Sequence, residues 1–159
     1  MIFVTLGSQR FQFDRLLKAL DDMVGDGRIT EELFAQTGYS DYLPQHYKYK
    51  QFLDRDEFLN WQDKCDIVIT HGGTGAIVGA LKKGKKVIAI PRLSKYGEHV
   101  DDHQLQIVDE FQKLGFICRC DDCEKLDEQI VQIKKTTIKP FKSNADTYVD
   151  SLSQFIDSL

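Results

Sequence analysis

The chain has 159 residues, of which 42% are hydrophobic and 29% are charged, and its net charge is −4. This size predicts a single globular domain over residues 1–159 with a core of its own. The negative charge argues against nucleic acid as a non-specific partner, and no apolar run approaches the ~20 residues of a membrane span. Met1 leads directly into a predicted strand rather than a signal peptide, so we expect a cytoplasmic protein that reaches the membrane surface through a partner.

Hydrophobic periodicity along the chain predicts about six strands alternating with helices. The predicted strands cover residues 2–6, 32–37, 47–53, 67–69, 87–90 and 116–119. The predicted helices cover residues 13–24, 54–64, 76–83, a segment ending at 114, 124–134 and 143–159. Asp54 and Glu57 have the spacing of a capping box at the start of the second helix. The alternation predicts an α/β fold, a Rossmann-like and mostly parallel sheet with helices on both faces.

The centre of the chain is the segment 66–92, which has the pattern strand, glycine turn, helix, strand. Gly72, Gly73 and Gly75 supply a turn with little side-chain bulk at a predicted helix N-terminus. Such a turn can hold a phosphate on free N–H groups, and we expect Gly73 to be glycine so that a phosphate can approach the backbone. A tight strand-to-helix turn that needs glycine only for its geometry is the alternative. The turn is not a Walker loop, because no Gly-Lys-Ser/Thr follows, and it is not GxGxxG, because Val78 stands in place of the third glycine.

Two clusters have some features of metal sites. Cys118, Cys120 and Cys123 lack a second pair at zinc-site spacing, so we interpret them, with Cys65, as reduced thiols. His99, Asp101, Asp102 and His103 could hold a metal, form a solvated helix start, or bond to a polyhydroxyl ligand. We expect no metal and no cofactor.

Four stretches together resemble the C-terminal, donor-binding domain of GT-B glycosyltransferases of family 28. They are VTLGSQRFQFDRLLKALD, AQTGYS, THGGTGAIVGALKKGKKVIAIPR and KYGEHVDDHQLQ. The likeness is strongest to the small subunits of two-part enzymes, namely bacterial exopolysaccharide and capsule transferases and the eukaryotic subunit that adds the second GlcNAc to dolichol-linked sugar. The resemblance implies that the chain forms one half of a GT-B fold.

The resemblance also implies a set of donor-binding residues. The turn from His71 through Gly72, Gly73, Thr74 and Gly75 would hold the donor pyrophosphate, with His71 as the candidate catalytic residue. Gly7 and Ser8 would form the facing loop, Phe52 and Leu53 would contact the uracil ring, and Asp102, His103 and Gln104 would lie near the donor sugar. Relatives often carry a ribose-binding Glu where this chain has Gly79, so ribose recognition is expected from Glu98 or Asp101.

The activity that the resemblance implies is inverting transfer of a hexose or N-acetylhexosamine from a UDP-sugar to a lipid-linked acceptor in polysaccharide biosynthesis, without a metal. GT-B chemistry takes place between two domains, and this chain predicts one, so a membrane-anchored acceptor-binding subunit is the expected partner. A homodimer that builds the cleft by itself is the alternative assembly. The catalytic base is expected to be His71 or a group of the partner chain.

Two other functions fit parts of the sequence. A non-catalytic UDP-sugar-binding subunit that enhances or regulates a partner transferase would need the same donor site. A dinucleotide-binding oxidoreductase fragment is disfavoured, because the third glycine is missing and no acid ends a following strand.

Overall fold

The computed structural model describes residues 1–140, and the predicted helix over residues 143–159 lies outside that part of the chain. The strands are β1 (Ile2–Thr5), β2 (Leu33–Gln36), β3 (Lys48–Lys50), β4 (Ile67–His71), β5 (Lys86–Ile90) and β6 (Cys118–Arg119). The helices are α1 (Asp14–Gly25), α2 (Arg55–Lys64), α3 (Thr74–Lys82), α4 (His103–Lys113) and α5 (Leu126–Lys135). Two short 3-10 turns cover Ser94–Tyr96 and Cys123–Lys125.

The strands of this part of the chain form one sheet in the order β3-β2-β1-β4-β5-β6, and every neighbouring pair is parallel. The predicted α/β, Rossmann-like architecture is therefore confirmed, and the sheet is parallel throughout rather than mostly so. β3 and β6 are shorter than predicted. All three residues of β3 are exposed at the sheet edge, where little apolar surface holds the ends of a strand in the ladder.

Two apolar cores cover the two faces of the sheet. On one face the strands pack against α1 and α5, through residues such as Leu17 and Ile130. On the other face they pack against α2, α3 and α4, where Trp61 stacks on Phe34 with ring centroids 3.9 Å apart. Both faces are covered, which explains why the central strands are continuous apolar runs.

Local sequence signals set the start of α2 as predicted. The Asp54 carboxylate accepts the Glu57 backbone N–H at 2.8 Å, and the Glu57 carboxylate accepts the Asp54 N–H at 3.0 Å, which completes a capping box. Within residues 1–140, no helix combines the length and apolarity needed to cross a membrane.

The strand order places β1 beside β4, and the connections from these two strands leave toward opposite faces of the sheet. Thr5 pairs with Thr70 at their carboxyl ends, and the Thr70 hydroxyl donates to the Thr5 carbonyl at 2.9 Å. Parallel sheets of this type bind ligands in the crevice at this switch point. The β1–α1 loop and the glycine turn after β4 form the two sides of this crevice.

Candidate functional site

The N-terminus of α3 presents free hydrogen-bond donors at the crevice. The first helical backbone bond runs from the Ile77 N–H to the Gly73 carbonyl at 3.1 Å. The N–H groups of Thr74, Gly75 and Ala76 have no hydrogen-bond partner among the described residues. A side chain at Gly75 would enter open space, because no atom lies within 4 Å of its ideal Cβ position. The helix dipole and these donors favour an anion there.

The glycines on both sides of the crevice make room for His71. A Cβ atom at Gly73 would lie 2.2 Å from Cε1 of the His71 ring, and one at Gly7 would lie 2.9 Å from its Nε2. Gly7 also has a φ of 73°, in the left-handed region. The expectation that Gly73 is glycine mainly for phosphate approach is therefore incomplete, since the imidazole already occupies the space beside its Cα.

His71 is a buried, neutral imidazole with 6% of its surface exposed. Burial, and then the positive charge of Arg92, lower the pKa of His71 to about 3. Its Nδ1 lies 3.3 Å from the amide nitrogen of Gln104. The amide oxygen of Gln104 accepts two backbone N–H groups, so its NH₂ group is the one that faces His71. Nδ1 is then the acceptor, and the ring carries its proton on Nε2 beside Gly7.

This environment suits a hydrogen-bond donor better than a general base. A base works best when its pKa lies near the working pH, and a pKa of about 3 leaves His71 a weak proton acceptor at neutral pH. The Nε2 atom lies close to both glycines, 2.9 Å from an ideal Cβ at Gly7 and 3.0 Å from one at Gly73. The catalytic assignment of His71 stays a prediction, and the geometry favours a donor role for this residue.

Gln104 connects the two loops instead of pointing at an open site. Its amide oxygen accepts the backbone N–H groups of Gly72 and Arg92, each at 3.0 Å. Only 4% of the residue is exposed. Its predicted contact with the donor sugar does not match this position, because its amide oxygen and nitrogen are already directed at protein groups.

A cavity of about 300 Å³ lies at the carboxyl ends of β1 and β2. Three predicted residues line it, namely Gly7, Ser8 and Leu53. Residues that the sequence did not indicate also line it: Thr5, Gln36, Asp54, Arg55, Phe58, Leu59 and Ala76. Arg55 is the only cation in that lining and belongs to the first turn of α2. No local motif marked Arg55, since its place depends on how α2 packs beside α3.

Phe52 lies next to this cavity rather than in its lining. Its ring contacts Tyr39 edge-on, with centroids 5.1 Å apart, and 39% of Phe52 is exposed. The two rings form an exposed aromatic pair at the carboxyl ends of β2 and β3. A planar base can stack on such a pair, which fits the predicted place of the uracil ring.

The predicted ribose ligand Glu98 is fully buried. Its two carboxylate oxygens each accept a hydrogen bond from Arg15 at 3.0 Å, and one also accepts the Leu93 backbone N–H at 3.1 Å. A carboxylate in this position is not accessible to a ribose. The loop that carries Glu98 folds back on α1, where Arg15 binds the carboxylate.

Asp102 and His103 line a different hollow, of about 390 Å³, together with Asp101 and Gln106. The Asp102 carboxylate accepts from the backbone and hydroxyl of Ser94 at 2.8 and 3.0 Å, which holds its pKa below the ordinary value. The structure therefore separates these predicted sugar contacts from the cavity beside Gly7.

Gly79 lies in a second groove, of about 350 Å³, between α2 and α3. This groove shares Phe58, Leu59 and Ala76 with the cavity beside Gly7, so the two are neighbours. The nearest atom to an ideal Cβ at Gly79 is the amide nitrogen of Gln62, at 4.0 Å. Gly79 therefore borders the candidate site, and among the described residues no protein atom lies closer than 4.0 Å to its ideal Cβ position.

The cysteines are free thiols, and burial raises the pKa of Cys120 to about 11 and that of Cys123 to about 12. Thiols of this kind are protonated and unreactive at neutral pH. Across residues 1–140, no group of three or more His, Cys, Asp or Glu side chains has an arrangement that could hold a metal.

Comparison with sequence families gives one match over nearly the whole chain. Residues 1–158 match the model of the glycosyltransferase family 28 C-terminal domain.

Curated relatives share one name, UDP-N-acetylglucosamine transferase subunit ALG13. The Candida glabrata protein is 32% identical over 83 residues, which are 52% of this chain and 40% of that protein. The Saccharomyces cerevisiae protein is 39% identical over 59 residues, 37% of this chain and 27% of that protein. The human protein is 28% identical over 99 residues, 61% of this chain and 8% of that protein. The chain therefore covers less than half the length of these relatives.

Solved structures with the same fold include a solution structure of ALG13. It superposes with a TM-score of 0.61 at 20% identity and covers 95% of this chain and 93% of that chain. The crystal structure of MurG from Acinetobacter baumannii superposes with a TM-score of 0.59 at 17% identity, over 84% of this chain and 41% of that chain. At these identities the similarity shows the fold alone.

Proposed function

Because the chain belongs to the family of the glycosyltransferase family 28 C-terminal domain, we propose that it binds a UDP-sugar and is the donor half of a two-component transferase. UDP-N-acetylglucosamine is the first donor to test, since the relatives are UDP-N-acetylglucosamine transferase subunits. The acceptor we propose is a lipid-linked sugar, and polysaccharide biosynthesis is the proposed setting.

The observation that carries this proposal is the free N-terminus of α3 at the switch point of the sheet. The unpaired N–H groups of Thr74, Gly75 and Ala76 face the crevice that Gly7 borders on its other side. A diphosphate in this crevice would accept from these donors and from Nε2–H of His71. Leu53 lines the same cavity as Gly7 and Ala76, and we assign the nucleoside to this side of the crevice, toward the Tyr39–Phe52 pair.

The same donors would assist the transfer step. When the glycosidic bond to the donor breaks, negative charge grows on the departing UDP. Preorganised N–H groups at a helix terminus stabilise charge that develops in a transition state, and this is often the largest single contribution to a rate. The proposed mechanism is inverting and assigns this role to the backbone of α3 without a metal.

We propose that the acceptor site and the general base belong to a partner chain. Every residue of the candidate site comes from one edge of one sheet, and His71 is neutral and buried. A membrane-anchored partner at the cytoplasmic face would bring the lipid-linked acceptor to this edge. The relatives are themselves called subunits, which is consistent with a two-chain enzyme.

A second candidate is a UDP-sugar-binding subunit that regulates a partner transferase without taking part in the chemistry. The observation that favours it is again the low pKa of His71, which leaves the candidate site without a base matched to neutral pH. Reconstitution with the partner distinguishes the two functions. Transfer by the partner alone that this chain only increases would favour regulation, and no transfer until this chain is added would favour the donor half.

Calorimetric titration with UDP tests the donor site directly. A leucine at position 75 would place bulk beside the free N–H groups, and its Cβ atom would have no protein atom of the described part of the chain within 4 Å. We expect Gly75→Leu to weaken UDP binding at least about tenfold while the fold stays intact. Gln132→Leu is the matched control, because it adds the same side chain at an exposed position of α5 on the other face of the sheet. Equal UDP affinity in both variants would place the diphosphate elsewhere.

A further inference from the structure

Arg92 is a buried residue whose hydrogen bonds connect the two sides of the crevice. It follows β5, and only 1% of its surface is exposed. Its Nη2 donates to the Leu6 carbonyl at 2.8 Å and to the Phe11 carbonyl at 3.3 Å, so one guanidinium holds both ends of the β1–α1 loop. Its backbone N–H donates to the same Gln104 oxygen that accepts the Gly72 N–H. The side chain of Arg92 therefore holds the β1–α1 loop, and its backbone is linked through Gln104 to the glycine turn after β4.

Within the described part of the chain, no carboxylate forms a direct ion pair with Arg92. Glu98, the carboxylate whose charge acts on it, forms its ion pair with Arg15 instead. Burial lowers the pKa of Arg92 to about 10, which still leaves it protonated at neutral pH. Within residues 1–140, its Nε and Nη1 atoms are buried without a hydrogen-bond partner.

A purely structural role does not require this charge. Neutral donors can bind two carbonyls, and a buried cation with unpaired N–H groups costs stability. The guanidinium is close enough to His71 for its charge to lower the pKa of that ring. Its Nη2 also binds the carbonyl of Leu6, the neighbour of Gly7, so the charge lies directly behind the loop that borders the crevice.

We propose that Arg92 is a positioning residue for the donor diphosphate, which clamps the loop from Leu6 to Phe11 and places a positive charge behind it. This inference rests on the proposed function, since the diphosphate is the anion that the charge would serve. Arg92 does not line the crevice. It would act on the diphosphate through the position of the β1–α1 loop and through the electric field of its charge. A buried cation at this position is screened less by solvent than a surface lysine would be.

The test compares ligands that differ only in the diphosphate. Arg92→Gln removes the charge and keeps an N–H donor, and Arg92→Lys keeps the charge but has a single ammonium group for the two carbonyls. We expect Arg92→Gln to weaken UDP binding at least about tenfold, while the affinity for uridine changes less than about twofold. Arg92→Lys should keep most of the preference for UDP over uridine. Arg28→Gln, which replaces a partly exposed arginine between α1 and β2, is the control and should change neither affinity.

Equal loss of UDP and uridine affinity in Arg92→Gln would overturn the charge role, and no loss of either would overturn the proposal entirely. Hydrogen exchange of the unliganded protein tests the clamp separately. The hydrogen-bonded amides of Leu6 and Phe11 should exchange at least about tenfold faster in both Arg92 variants, with those of β4 unchanged. The hydrogen-exchange experiment does not depend on UDP. A wild-type chain that fails to bind UDP would therefore refute the proposed function, while the role of Arg92 in holding the loop could still be tested.

A measurement on the wild-type chain covers the case in which Arg92 variants do not fold. With ¹⁵N-labelled arginine, the Arg92 Nε resonance should shift when UDP is added and stay in place when uridine is added. A resonance that responds to neither ligand, while UDP binding is measured in the same sample, would overturn the proposal.

Discussion

Acidification from pH 7 to pH 5 is expected to cost the protein about 2 kcal/mol of folding stability through His71 alone. The His71 pKa is about 3 in the folded chain, against an ordinary value of 6.5. Below pH 6.5 the unfolded chain takes up a proton that the folded chain does not accept until the pH is near 3. Stability is therefore fully present above pH 6.5 and is lost as the pH falls through this window, at up to about 1.4 kcal/mol per pH unit.

Urea unfolding at pH 7, 6 and 5 measures this loss, with His71→Gln as the comparison. The variant lacks the titrating ring, so its free energy of unfolding should change little over the same range, whatever its value at pH 7. Asp21 is a suitable internal check, since its pKa lies below the ordinary 3.8 and its contribution is lost only at lower pH. The same slope in both proteins would show that His71 is not held neutral by burial, and the argument against a general-base role would fail with it.

Three further outcomes are expected. The dissociation constant of UDP should change less than about twofold in the presence of EDTA, because backbone N–H groups hold the diphosphate in the proposed site; calorimetry with and without chelator would reveal a missed metal as a larger change. Gly79→Ala should stabilise the protein by about 0.5–1 kcal/mol, since glycine weakens a helix interior and the added Cβ atom has room. Gly84→Ala should destabilise the protein, because φ is 71° at that residue. Thermal denaturation measures both changes. The chain alone should transfer little sugar from UDP-N-acetylglucosamine to a lipid-linked acceptor and should gain activity when partner-containing membranes are added; full turnover by the purified chain would contradict the two-chain proposal.

The fold was predictable because its signals are local. The apolar runs at residues 67–69 and 87–90 gave central strands that the structure confirms, and the Asp54–Glu57 spacing gave the capping box at α2. The edges were less predictable. Residues 47–53 alternate like a strand, yet only Lys48–Lys50 pair with a neighbour, because pairing at an edge depends on tertiary contacts that the local pattern does not contain.

The parts of the candidate site that the backbone forms were predictable from the sequence. The parts that side chains form were less predictable. The glycine turn and the Gly7 loop meet as predicted, because both follow from the order of the strands. Gln104 and Glu98 are polar residues in a polar segment, and nothing local shows that their groups are used by Gly72 and Arg15, which lie 32 and 83 residues away. Arg55 and Arg92 were missed for the same reason, since their places depend on how α2 and the β1–α1 loop pack.

Under the proposed function this domain supplies one side of a catalytic site, and the arrangement of its donors gives a physical reason for a second chain. A helix terminus and a buried cation bind an anion from one side only, and the opposite side of a diphosphate in this crevice would face water. Water screens the developing charge and weakens its interaction with each dipole directed at it. A site from which water is excluded strengthens these interactions. A second chain that covers the crevice would therefore raise the effect of α3 and Arg92 on the departing UDP without changing a residue of this chain. Positioning the acceptor adds to this, and in favourable cases it accounts for roughly 7–11 kcal/mol of a barrier. Binding of UDP and turnover should accordingly separate in this protein, with binding retained by the chain alone and turnover dependent on the partner.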